Sequence, residues 1–370
     1  MSCLLPQEII DLIIDHLHDE PATLNACCVV SRSWVQRARK HLFFRIKFSP
    51  LGRHVKQWRE TFPDPTNSPA HETQTLFICH PMLITAAYVH TLLTFSCVVN
   101  LDVDTDLLND QAASLVPLLG FSPAIRSLRL TFASLPNSQI FNLACSFPLL
   151  DDLALISRAH RHRHVAWKCP STSPRFTGSL ELRLMEGIYP TSLLLLDLPN
   201  GLHFTTISVL WLSDQDVGST MDLVSRCSDT LESLEITNHL SDASRASTID
   251  LSKASKLQDI VLRCKSTDAR WIDAALRTME SDNIQQISLD ISRHCLGQRS
   301  HPGWSAIDSL LDQFRTSHSV RLKIMCESVG WLRNGRERVK SLLPQITRRG
   351  TVDVVDYSCA REDFPGFGIF

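Results

Sequence analysis

Residues 231–236 read LESLEI, residues 257–262 read LQDIVL and residues 284–289 read IQQISL. Each segment is apolar at its first, fourth and sixth places. The apolar–polar–apolar close of each is the period of a strand with one buried face. The same apolar-x-x-apolar-x-apolar pattern recurs as Ile125-x-x-Leu128-x-Leu130, Leu150-x-x-Leu153-x-Leu155 and Ile207-x-x-Leu210-x-Leu212. Weaker copies are Leu180-x-Leu182-x-Leu184 and Val320-x-Leu322-x-Ile324. Val89-x-x-Leu92 reads as an opening copy and Val352-x-Val354 as a closing one. Counted at the middle apolar residue from Leu128 to Ile287, the steps are 25, 29, 28, 24, 26 and 27 residues, followed by 35 to Leu322. Background leucine does not fall at so even an interval.

Between these segments lie stretches with apolar residues three and four apart: Ser138–Phe147, Val217–Cys227, Asp268–Ser281, Trp304–Phe314 and Arg336–Leu343. Such spacing predicts helices. A strand–helix unit of this size cannot bury its own apolar face, so neighbouring units must stack to form the core. The pattern and its period resemble leucine-rich repeats, whose units run about 20–29 residues. The expected fold class is therefore α/β, with a divergent leucine-rich-repeat solenoid over residues 79–360. One departure stands out. The Asn or Cys expected after Leu-x-Leu is not uniform: Cys264 follows Leu262 by two, but Ser157, Asp214, Asn238 and Ser292 form no ladder. The alternative is a conventional α/β domain with a mixed or parallel sheet. The resemblance implies a concave strand face that binds a protein target. Its candidate contacts are polar residues between the apolar ones: Arg126, Arg129, Glu181, Arg183, Trp211, Glu232, Glu235, Asp259, Gln286 and Asp290.

The N-terminal residues 4–17 read LLPQEIIDLIIDHL. Pro6 suits a first helical turn, and Glu8 and Asp11 favour its positive end. Ile9, Ile10, Leu12, Ile13, Ile14 and Leu17 cover more than one helix face, which calls for burial on two sides. Two further short helical runs follow, Thr23–Trp34 and Trp34–Phe44. The pattern Leu5-Pro6-x-Glu8-Ile9-x-x-x-Ile13-x-x-x-Leu17, then Cys28-x-Val30-Ser31-Arg32-x-Trp34, then Ala38-Arg39 and Leu42-Phe43, resembles an F-box over roughly residues 3–48. The F-box resemblance implies a three-helix module (residues 1–48) that docks on the Skp-type adaptor of a cullin–RING ubiquitin ligase. It places Leu5, Pro6, Glu8, Ile9 and Ile13 on or near the adaptor surface, with Val30 and Trp34 shared between the adaptor and the module's own core.

Residues 49–78 contain Pro50, Pro63, Pro65 and Pro69 and read as a linker, with one helical turn near Val55–Thr61. Cys79–Ala87 reads as a short helix, and residues 361–370 as a tail. Lys and Arg number 37 against 39 Asp and Glu. That balance disfavours duplex nucleic acid as a partner, which needs a basic surplus. The twelve cysteines form no CxxC, which removes the support for a zinc ribbon and favours reduced thiols packed as small hydrophobes. The expectation is a cytoplasmic or nuclear protein with no signal peptide and no membrane span.

His160, His162 and His164 alternate near Cys169, but Arg161 and Arg163 interleave, and a solvated basic loop is the reading. Asp102, Asp104 and Asp106 lack the Gly and distal Glu of a calcium loop. No metal or cofactor is expected. GxSxG, P-loop, GxGxxG and HExxH motifs are absent, so nothing supports an intrinsic enzyme activity. Together the two resemblances imply a non-catalytic substrate-recognition subunit of a Skp–cullin–F-box ligase, of the F-box/leucine-rich-repeat type found in fungi. The alternatives are an interaction protein that binds the adaptor without delivering substrates, and an enzyme on a divergent α/β fold.

Overall fold

The computed structural model describes residues 5–49, 51–79, 86–105, 118, 124–132, 137–157, 174–183, 201–211, 214–239, 249–265, 269–279, 283–291, 303–318, 321–326, 335–348 and 353–356. The chain divides into two compact units, Met1–Pro174 and Arg175–Phe370. Both are α/β, built on parallel strands.

The first unit opens with three helices, α1 (Gln7–His16), α2 (Pro21–Val30) and α3 (Arg32–Leu42). Pro21 occupies the first turn of α2. The Ser31 side chain caps α3 by accepting from the Ser33 amide. Ile14, Leu24, Cys27 and Ala38 form the small core of this bundle, with Ile10, Leu17, Cys28, Trp34 and Leu42 packed around them. Five strands follow among the described residues: β1 (Arg45–Phe48), β2 (Thr75–Cys79), β3 (Asn100–Asp104), β4 (Ser127–Phe132) and β5 (Asp152–Ser157). Each pairs in parallel with the next. The connections hold helices α4 (Leu51–Thr61), α5 (Ala86–Leu92) and α6 (Asn137–Cys145).

The stretch 49–78 is therefore not the expected linker. It carries α4, two 3-10 turns at Pro65–Asn67 and Pro69–Glu72, and β2. The prolines open the turns, where a fixed φ and a missing N–H do no harm. Asp64 and Ser68 cap them, Asp64 accepting from the Thr66 amide and hydroxyl and from Asn67. The Thr66 bonds hold the Asp64 carboxyl below its ordinary range. Strand pairing also begins at Arg45, inside the segment assigned to the N-terminal module. Val89 and Leu92, read as an opening strand, lie in α5, and the pattern missed β3 as well as β1 and β2; in β3, Leu101 and Val103 are buried.

Among the described residues the second unit has seven strands: β6 (Ser179–Arg183), β7 (Thr206–Trp211), β8 (Ser233–Asn238), β9 (Asp259–Cys264), β10 (Gln286–Ile291), β11 (Arg321–Cys326) and β12 (Asp353–Asp356). Again each pairs in parallel with its successor. The helices among the described residues are α7 (Asp214–Arg226), α8 (Arg270–Thr278), α9 (Trp304–His318), α10 (Gly335–Leu342) and α11 (Pro344–Arg348). Sequential order sets both units apart from a doubly wound sheet, whose strand order reverses at a switch point.

Register corrects the reading of β7. Leu180 pairs with Ile207 and Ile207 with Leu234, while Val209 pairs with Leu182 and Ile236. Phe204, Ile207 and Val209 are the buried trio, and Leu210 points to the other face, half-buried. In this frame the steps from Leu180 to Ile287 become 27, 27, 26 and 27 residues. The uneven 29, 28 and 24 came from taking Leu182 in β6 and Leu210 in β7 as the middle residues; Leu210 lies an odd number of places from Ile207 and so on the opposite face.

The backbone explains how repeats stack without an asparagine ladder. At the foot of successive strands one carbonyl accepts two amides from the next repeat. Arg126 accepts from Asp151 and Asp152, Glu232 from Gln258 and Asp259, and Gln258 from Gln285 and Gln286. The inward position two residues beyond the last apolar one holds Phe132, Ser157, Asn238, Cys264 and Ile291, all buried. With the stacking carried by main-chain groups, that position is free to vary in chemistry. Burial pushes the Cys227 thiol up to about 11, consistent with an inert, packed sulfur.

Candidate functional site

The N-terminal bundle presents the largest departure from ordinary burial. On α1, Ile10, Ile14 and Leu17 face the bundle core. Ile9, Leu12 and Ile13 point outward and are 43%, 55% and 50% exposed, and Leu5, just before the helix, is 56% exposed. The outer residues run i, i+3, i+4 and the inner ones i, i+4, i+7, both spacings of one helix face. At the end of α2, Val29 and Val30 are 86% and 63% exposed. Each aliphatic side chain would gain roughly 1 kcal/mol on losing its remaining exposed half. That gain is not taken up within this chain's described residues, so the surface is one that a partner could cover.

A charged clasp fixes the orientation of α1 beneath this surface. Asp15 accepts two bonds from the Arg37 guanidinium and one, at 2.7 Å, from His41 Nε2. The Arg37 bonds hold the Asp15 carboxyl far below the usual carboxylate range, against a smaller opposing effect of burial. α1 is thereby tied to α3 by a bidentate pair, whose fork geometry resists rotation of the helix.

Of the residues expected to meet an adaptor, Leu5, Pro6, Glu8, Ile9, Ile13 and Val30 are exposed on the bundle. Trp34 is half-buried and packs against the bundle core. Leu12 and Val29 belong to the same exposed apolar set and were not among the expected residues. The helical spacing of Leu12 from Ile9 and Ile13 was the signal that could have found it.

The strand faces bring together only part of the second set. Arg129 lies mid-strand on β4 and is half-buried. Glu181 and Arg183 share the outward face of β6 and pair at 2.6 Å. Glu235, Asp259 and Gln286 take outward positions on β8, β9 and β10. Arg126 and Glu232 precede their strands and are exposed at the strand feet, not on the strand face; Arg126 pairs with Asp151 at 3.0 Å. Trp211 ends β7, and its side chain lies outside the described residues.

Asp290 is a correction. It is fully buried, so it offers nothing to a target directly. Arg263 bridges it to Glu235, with distances of 2.9 Å to Glu235 and 3.3 Å to Asp290, and Lys265 lies 3.4 Å from the same Asp290 oxygen. Register puts Arg263 directly opposite Asp290 on the adjoining strand. Buried charges of this kind survive only as hydrogen-bonded, compensated networks. The cluster therefore sets a charged, rigid floor to this strand face.

His160, His162, His164, Cys169, Asp106, Trp331 and the tail 361–370 lie outside the described residues. Asp102 and Asp104 are half-buried strand residues. Trp271 and Trp304 are buried. No group of His, Cys, Asp and Glu among the described residues could hold a metal ion, and no helix among them is long and apolar enough to cross a membrane. No protein-family model matches the sequence, and no curated protein matches it.

Proposed function

We propose that the chain is a substrate-recognition subunit of a Skp–cullin–F-box ubiquitin ligase. The N-terminal bundle would serve as the F-box and the parallel strand–helix units as divergent leucine-rich repeats. The observation that carries this reading is the set of exposed apolar residues Leu5, Ile9, Leu12 and Ile13, on and just before α1, with Val29 and Val30 at the end of α2, in a three-helix bundle whose sequence follows the F-box pattern. The sequential strand order and the 26–27-residue register support the repeat reading. The mechanism is proximity: the repeats hold a protein target, the bundle fixes it on the ligase, and other subunits transfer ubiquitin. The gain is effective concentration and orientation. No residue of this chain performs chemistry in this scheme.

Two experiments test the proposal. Leu5→Ala together with Pro6→Ala should abolish co-purification with the Skp-type adaptor while leaving the thermal transition in place. Removing the protein from its cells should make its target accumulate with reduced ubiquitination. A chain that binds no adaptor, or whose loss stabilises no protein, is not a receptor.

A further inference from the structure

A cleft of about 720 Å3 lies in the first unit, on the helix side, between α4, the Pro63–Pro65 turn and α5. It is separate from the exposed apolar surface of the N-terminal bundle. Trp58, Phe62 and Tyr88 line it, and its charged and titratable lining residues are Lys56, Arg59, Glu60 and His90. The aromatic wall is held from behind. The Trp58 ring lies 4.8 Å from Phe62, 5.2 Å from Phe95 and 5.9 Å from Phe48. Phe48 and Phe95 are buried, while Trp58, Phe62 and Tyr88 are only half-buried. Tyr88 stands so close over α4 that a Cβ on Gly52 would be 2.9 Å from its hydroxyl. That hydroxyl makes no hydrogen bond among the described residues.

The lining carries one excess positive charge: Lys56 and Arg59 stand beside one carboxylate, Glu60, which lies a loose 3.9 Å from Lys56, and Arg59 has no acidic partner among the described residues. A preformed cleft of a few hundred Å3, mostly apolar and aromatic with a few polar groups at one side, is the usual form of a small-molecule site. We infer that this cleft binds an organic acid with a planar apolar body, its rings against Trp58 and Phe62 and its anion toward Arg59 and Lys56. Stacking supplies the affinity for the body. The cations select the acid over its neutral counterpart by about tenfold, the scale of one or two near-surface ion pairs.

The test uses the full chain and two probes, 2-naphthoate and the neutral 2-naphthylmethanol, titrated by calorimetry. Naphthoate should bind one saturable site about tenfold more tightly than the alcohol, and should weaken as salt is raised. Lys56→Gln with Arg59→Gln, both at exposed positions, should bring naphthoate down to the affinity of the alcohol and leave the alcohol unchanged. Absence of saturable naphthoate binding, equal affinity for both probes, or an unchanged affinity in the double variant would each overturn the assignment.

Discussion

The N-terminal bundle and the strand–helix units use the same aliphatic residues to opposite ends. In the units, Leu128, Leu234, Ile260, Leu262 and Ile287 are wholly buried, because each repeat covers its neighbour. In the bundle, Ile9, Leu12, Ile13 and Val29 stay about half exposed or more, because the three short helices share one small core and no described residue covers these side chains. Apolar character alone therefore does not separate core from interface. What separates them is whether the next element in the chain supplies a covering surface.

That contrast makes graded predictions. The largest stability effect belongs to the stacked core: Leu262→Ala should cost about 2–5 kcal/mol, read as a lower urea midpoint. Next comes the buried cluster. Asp290→Ala leaves Arg263 and Lys265 short of a carboxylate and should cost about 3 kcal/mol, whereas replacing Glu235, Arg263 and Asp290 together by Leu, Met and Leu should be close to neutral. If the triple replacement is as damaging as the single one, the cluster does more than compensate its own burial.

The Asp15 clasp gives a smaller effect with a defined pH dependence. The folded-state value is lowered, so its contribution is complete above the unfolded value of about 3.9 and is lost as pH falls below it. Asp15→Asn should be less stable than the parent at neutral pH, and the two curves should converge in an acid titration followed by circular dichroism. Smallest of all, Ile13→Ala should change stability by less than about 0.5 kcal/mol. A large loss there would mean that the outer face of α1 is core and not a docking surface.

Much of this organisation was legible in the residues. The three N-terminal helices, the two-sided apolar character of α1 and the later repeats follow from local spacing. The folded state of 49–78 was not legible, because prolines that open 3-10 turns look the same in a sequence as prolines that punctuate a linker; the caps on Asp64 and Ser68 decide it. The frame of β7 was misread because Leu210 and Leu212 matched the pattern as well as Phe204, Ile207 and Val209 did, and pairing to β6 and β8 chose between them. Asp290 could not be assigned either. Its burial depends on Arg263, Lys265 and Glu235, which lie 25 to 55 residues away in sequence and meet it only through strand register.

Under the proposed function, the exposed apolar side chains of the bundle, and not just the residues of the motif, would form the adaptor-docking face. Leu12 and Val29 test it best, since they belong to the surface but were not expected from the motif. Purified Skp-type adaptor should be titrated by calorimetry into the full chain and into a variant carrying Leu12→Ser and Val29→Ser. The account predicts a one-to-one complex with the parent, an affinity loss of about 100-fold or more in the variant, and coincident unfolding transitions for the two chains. Equal adaptor affinity for parent and variant, or no complex with the parent, would contradict it.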